Sequence, residues 1–176
     1  VYLEEEADAA GEGLLIIDDN NYDTQVGVTT PLLQNESIGT LQLSNEGHLE
    51  LSGFNLTVTN SATTAIQYDA TSYVISENVA DASVLQWNIG STTGDHVFPF
   101  GKSDDTQVPV HFNLTTGTIG NVEISTYQTA VDNTPFPSGV TNMYDGGDSD
   151  QSTSVIDRFW NFQKSGGSGT ATIIFT

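Results

Sequence analysis

Apolar side chains recur along this chain at every second position, and almost nowhere at the 3.6-residue spacing of an amphipathic helix. Residues 107–113 give the cleanest case: Val108, Val110 and Phe112 face one way, His111 and Asn113 the other. Residues 120–128 repeat it through Val122, Ile124 and Thr126. Thr, Val, Ile, Tyr and Phe fill these runs, and Gly, Asn, Asp and Ser fill the gaps, which are strand and turn preferences. The pattern predicts strands over 14–17, 37–43, 48–51, 55–59, 65–68, 73–76, 84–89, 97–100, 107–113, 120–128, 155–162 and 170–175. A helical turn over 4–10 is stopped by Gly11 and Gly13. The expected class is all-β, a β-sandwich or jelly-roll-like fold with a short-strand N-terminal part.

Spacing divides the chain. Leu41-x-Leu43, Leu49-x-Leu51 and Leu56-x-Val58 recur about every eight residues, with turns at Asn45-Glu46-Gly47 and Ser52-Gly53. Such a recurrence suits successive short rungs of a meander or of a small β-roll. From Ala65 onward strands and loops lengthen, as in a sandwich. The expected division is therefore 1–62, a short-strand part packed on the rest, and 63–176, the sandwich module.

Two local features carry structural expectations. Phe98-Pro99-Phe100-Gly101 puts a residue without a ladder donor between two aromatics, so the strand should break or lie at an edge there, with Gly101 allowing a turn. Arg158 sits between Val155-Ile156 and Phe159-Trp160, so it should be partly buried and paired with a carboxylate, Asp157 or a distant Asp. Trp87 shares the face of Leu85 and Ile89, and Trp160 lies within an apolar strand; both are expected in the core.

Charge narrows the function. Twenty-three acidic residues face three basic ones, Lys102, Arg158 and Lys164, for a net charge of −20. A phosphate backbone is repelled by such a surface, which argues against nucleic acid, and anionic membranes are disfavoured for the same reason. The charge suits solubility in a salty medium, collection of divalent cations, or a partner of opposite sign. With no cysteine, disulfides and thiolate chemistry are excluded. No apolar run approaches the 18 or so residues of a membrane span. Val1 at the start and the strand-like TATIIFT at the finish read as cuts within a longer protein.

No nucleophile–base motif stands out, and on this strand assignment His48 and His111 face solvent while His96 sits at a strand entrance. Catalysis is not expected. Calcium is the better ligand expectation: Asp19, Asn21 and Asp23 offer oxygens at alternate positions, and Asp145, Asp148 and Asp150 surround two glycines in a second acidic loop. Phe136, between two prolines, and Tyr144 are the aromatics best suited to an exposed sugar platform.

Three stretches, in order, resemble a module of large secreted and cell-surface proteins of Bacteroidetes. They are GTLQLSNEGHLELSGFNLTVTN over 39–60; YVIS over 73–76 with HVFPFG over 96–101 and QVPV over 107–110; and VIDRFWNF over 155–162 before TATIIFT. The resemblance implies an exported, adhesin-like module using the type IX route, a spacer or binder and not an enzyme. The expected function is a non-catalytic extracellular structural or adhesive module of a larger bacterial surface protein. Its partners would be neighbouring modules, copies of itself or surface glycans. The alternatives are a filament subunit assembled by strand complementation and a carbohydrate-binding module.

Overall fold

The computed structural model describes residues 2–3, 9–20, 28–79, 83–144, 146 and 149–176, and these form an all-β fold. Among them the one helical piece is a single 3-10 turn at Ser152–Ser154. No helix among the described residues is long and apolar enough to cross a membrane.

The N-terminal strands come in threes. After β1 (Tyr2–Leu3), the first set is β2 (Leu14–Asp18), β3 (Thr30–Pro31) and β4 (Glu36–Ile38). The second is β5 (Thr40–Ser44), β6 (His48–Glu50) and β7 (Leu56–Val58), and the third is β8 (Ile66–Gln67), β9 (Tyr73–Ile75) and β10 (Leu85–Asn88). Each strand pairs in parallel with its counterpart in the next set: β2–β5–β8, β3–β6–β9 and β4–β7–β10. The chain therefore winds as three stacked coils with three faces. Of the two arrangements the short strands suggested, this is the roll-like one. The eight-residue recurrence marks the three faces of one coil, not successive rungs. True neighbours lie further apart in sequence, from 19 residues between Thr30 and Leu49 to 29 between Leu56 and Leu85.

Corners need residues that tolerate positive φ. Asn45 and Glu46 (φ 52° and 65°) turn the chain between β5 and β6, and Ser52 and Gly53 (52° and 89°) turn it before β7. Side chains tie these corners between coils. Asn45 Nδ2 donates to Asp18 of the coil below at 3.1 Å, and Asn45 N donates to Asp69 of the coil above at 2.7 Å. At another corner Asn55 N donates to Asn35 Oδ1 at 2.9 Å, while Asn55 Oδ1 accepts from Val84 N at 3.2 Å. The polar groups that a corner frees from the ladders are thus satisfied by stacked Asx side chains.

The coil interior is filled by Ile38, Leu41, Leu43, Leu49, Leu51, Leu56, Val58, Val74, Leu85 and Trp87, all at most 2% exposed. Burying each Leu contributes about 1.5–3 kcal/mol. The ladders run unbroken across 60–64, so the stack extends to Asn88.

The rest of the chain is β11 (Gly94–Phe98), β12 (Val110–Thr118), β13 (Asn121–Gln128), β14 (Arg158–Ser165) and β15 (Ser168–Phe175). β12 runs into β13 and β14 into β15, and the pairs β12–β15 and β13–β14 are both antiparallel. They make one long two-stranded ribbon, bent at Ile119–Gly120 and Gly166–Gly167. A Cβ on Gly120 or Gly167 would collide with the carbonyl of Ser165 or Thr118. Bending folds the ribbon over itself into two layers. One layer joins the coil, because β13 pairs with β10 to give the sheet β14-β13-β10-β7-β4; the other is β11-β12-β15. Trp87 of β10 meets the ring of Phe98 at 5.5 Å across the layers, and coil and sandwich share one hydrophobic core.

The Phe98-Pro99-Phe100 segment breaks its strand as expected: β11 ends at Phe98, and Phe100 forms a lone parallel bridge to Val74, extending the β3–β6–β9 face. Gly101 acts differently from the expectation. It is not at positive φ; a Cβ there would penetrate the Tyr73 ring. Glycine is needed for close approach, not for a turn.

Candidate interaction surface

Two of the three histidines are structural, which corrects the solvent-facing reading of His48 and the strand-entrance reading of His96. His48 is buried between coils, stacked on Tyr73 at 4.0 Å, with its ring nitrogens 3.2 Å from Val28 O and 2.9 Å from Thr71 O. His96 is fully buried, edge-on to Trp87 at 4.9 Å and 3.2 Å from Ser61 O. His111 stays at the surface, bonded to Asp95 at 2.7 Å. Sequence alternation missed His48 because its partners come from adjacent coils, 20 and 25 residues away.

Arg158 is buried and paired, but its partner is neither Asp157 nor another Asp. Its guanidinium donates to Glu77 at 2.6 Å and to Thr126 Oγ1 at 2.9 Å, and it lies 6.0 Å from the Trp160 ring centroid. The second Glu77 oxygen accepts from Gln128 N at 2.7 Å. One carboxylate therefore binds the segment after β9 to both β13 and β14.

Of the first acidic loop, Asn21 and Asp23 lie outside the described residues. Asp19 is half-buried beside Asp18, whose carboxyl is held below its ordinary range by Asn45 and the Asn20 N–H. In the second, Asp145 and Asp148 lie outside the described residues. Asp150 accepts from Met143 N, Ser152 N and Ser152 Oγ at 3.1 Å each, holding the turn at Ser152–Ser154. Among the described residues no three His, Asp or Glu side chains converge as metal ligands do.

Phe136 is half-buried, its ring 6.2 Å from that of Phe159 in an edge-on contact. Tyr144 is exposed and lines a shallow cleft with Val140, Met143, Val155 and Phe159. Both aromatics thus border Phe159, on the outward side of β14.

The least finished surface is the margin where β14 faces β15. Each is the outer strand of its sheet, so among the described residues the bent ribbon presents one continuous unpaired edge from Arg158 to Phe175. Alternation sends Ala171, Ile173 and Phe175 to the inner face with Val110, Phe112 and Leu114, their partners on β12. Those partners are buried, yet Ile173 is 41% and Phe175 51% exposed. The Phe175 ring centroid lies 4.8 Å from that of Trp160 and 5.9 Å from that of Phe162, beside a cleft with Val108, Ile156, Trp160 and Phe175 on its apolar wall and Lys102, Asp157 and Arg158 at its polar end. Trp160 is only half-buried, and its enclosed indole N–H meets no acceptor among the described residues. The edge carries no acid between Arg158 and Thr176, whereas it holds two of the three cations. Over its eight exposed residues β15 has no proline and no charge, and no loop of the described residues covers it; the one irregularity is a bulge in β12 at Thr115, opposite Thr170 and Ala171.

No protein-family model matches the chain, and no curated protein and no solved structure matches it.

Proposed function

We propose that this chain is a non-catalytic structural and adhesive module of a larger extracellular surface protein, as the resemblance to Bacteroidetes modules implies. The observation that carries the reading is the position of β10. It pairs in parallel with β7 in the coil and antiparallel with β13 in the sandwich, so one hydrogen-bonded sheet runs through both parts. A load entering at one part passes to the other through a ladder and a shared core, not through a flexible linker. The buried ionisable side chains support the same reading: His48, His96 and Arg158 each bond to groups that hold elements together. Pulling the chain between handles fused at its two ends tests this. A single high-force rupture is expected; separate low-force extensions of coil and sandwich would defeat the load-bearing role. Turnover of generic hydrolase substrates would defeat the non-catalytic part.

A second reading, a subunit joined to neighbours by strand pairing, is favoured by the bare edge of β15. The carbohydrate alternative draws support from Phe136 and Tyr144 bordering Phe159. Glycan-array binding lost in Phe136→Ala would favour it, and binding unchanged by that substitution would reject the platform.

A further inference from the structure

We infer that β15 is a self-association strand, through which two copies of this chain pair antiparallel about a twofold axis at Thr172. This deepens the strand-pairing reading, on which it rests, by naming the occupant of the edge and its register.

Three features of the molecule lead there. The first is charge. At −20, two copies repel over most of their surface, but β15 itself carries no charge, so pairing along it opposes no like charges within the two strands; the one acid beside it, Asp157, adjoins Arg158 at the end of the margin. The second is the exposed apolar surface on the inner face. Ile173 and Phe175 face the sandwich interior yet remain open, because among the described residues β15 has no neighbour on its outer side. The third is self-complementarity of size. In an antiparallel pair, directly opposed residues share a face. A twofold at Thr172 sets Phe175 opposite the partner's Gly169 and Ile173 opposite the partner's Ala171, large against small on the inner face. On the outer face Ile174 meets the partner's Thr170. Each copy thus covers the other's exposed Ile173 and Phe175, and the two β11-β12-β15 sheets become one six-stranded sheet. Such an isologous contact closes as a dimer.

The test uses the absence of cysteine in the chain. Opposed residues of an antiparallel pair have Cα atoms about 4.5–5.5 Å apart, within disulfide reach. Thr172→Cys should therefore give a covalent dimer under mild oxidation. Ile174→Cys should not, since the two copies of that residue sit about 14 Å apart along the strands at ~3.4 Å per residue. Sedimentation of the unmodified chain should show concentration-dependent conversion of the 18.8 kDa species to one of twice the mass, strengthened by salt as the mutual repulsion is screened. Thr172→Lys, an outward substitution, should abolish it with an unchanged circular-dichroism spectrum. A chain that stays monomeric at all concentrations and salts, or that cross-links as well through Ile174→Cys as through Thr172→Cys, overturns the proposal. A dimer that survives Thr172→Lys does so too. The load-bearing reading is judged separately, by the pulling experiment on single chains.

Discussion

The Arg158 guanidinium meets the Glu77 carboxylate at 2.6 Å, joining residues 81 positions apart, and is almost wholly buried while Glu77 is about a quarter exposed. Removing one partner of such a pair leaves the other uncompensated, at a cost of about 3–5 kcal/mol for a fully buried pair. Because Glu77 still touches solvent, Glu77→Gln is expected near the lower end, about 3 kcal/mol. Arg158→Met together with Glu77→Gln should cost less than the two single changes added. Urea denaturation of the three variants measures this, and strict additivity would show that the pair is not coupled.

Gly101 and Tyr73 make a second testable couple. The Tyr73 ring is clamped between the Gly101 backbone and the His48 ring. Gly101→Ala forces the added methyl into that ring, so it should destabilise by about 1–3 kcal/mol, as overpacking does. In a background of Tyr73→Val the same glycine change should be almost free. Thermal melts of the two singles and the double decide it.

These two couples also show what could be read from the chain before folding. Period-two alternation located most strands but missed β1 and β3 and ran β4 and β5, which lie in different sheets, together over 37–43; it put Trp87 in the core with Leu85 and Ile89, where all three are fully buried. It located turns at Asn45-Glu46 and Ser52-Gly53 because left-handed backbone selects Asn and Gly. It could not reveal the coil, since alternation says which face a residue occupies but not which strand lies beside it. Coil spacing varies from 19 to 29 residues here, so no fixed repeat announces parallel neighbours. The same blindness hid the burial of His48 and the identity of Glu77 as the Arg158 partner. The open margin was legible only in part: TATIIFT reads as a strand, but its place at the outer end of the described sheet β11-β12-β15 is a property of the sheet order.

Asp69 should make stability depend on pH in the acid range. Burial acts to raise its carboxyl, but bonds from the Ser72 hydroxyl, the Thr71 and Asn45 N–H groups and the Thr71 hydroxyl outweigh this and bring it down to about 2. A carboxyl depressed on folding stabilises above its unfolded value, near 3.9, and that contribution fades as pH falls through the folded value. Asp69→Asn should thus cost about 1 kcal/mol at neutral pH, a modest figure because the carboxylate is only half-buried and the amide oxygen still accepts part of these bonds. The difference from the parent chain should hold down to about pH 4 and shrink towards pH 2. Urea midpoints at pH 7, 4, 3 and 2 would reveal this, and a difference that stays constant to pH 2 would contradict it.

Trp87 tests whether coil and sandwich unfold as one. It sits in β10, the strand common to both; its indole N–H donates to Asn60 O at 2.8 Å, and its ring meets His96 and Phe98. Trp87→Ala leaves a large cavity at the junction and should cost about 3–5 kcal/mol. Because the core is continuous from Leu41 to Leu114, the loss should appear on both sides of the junction. Amide hydrogen exchange should accelerate by similar factors at Leu41 and Leu43 in β5 and at Phe112 and Leu114 in β12, as for a single cooperative unit. Acceleration confined to β12 would mean that the coil holds together alone and that the sheet shared through β10 does not couple the two parts.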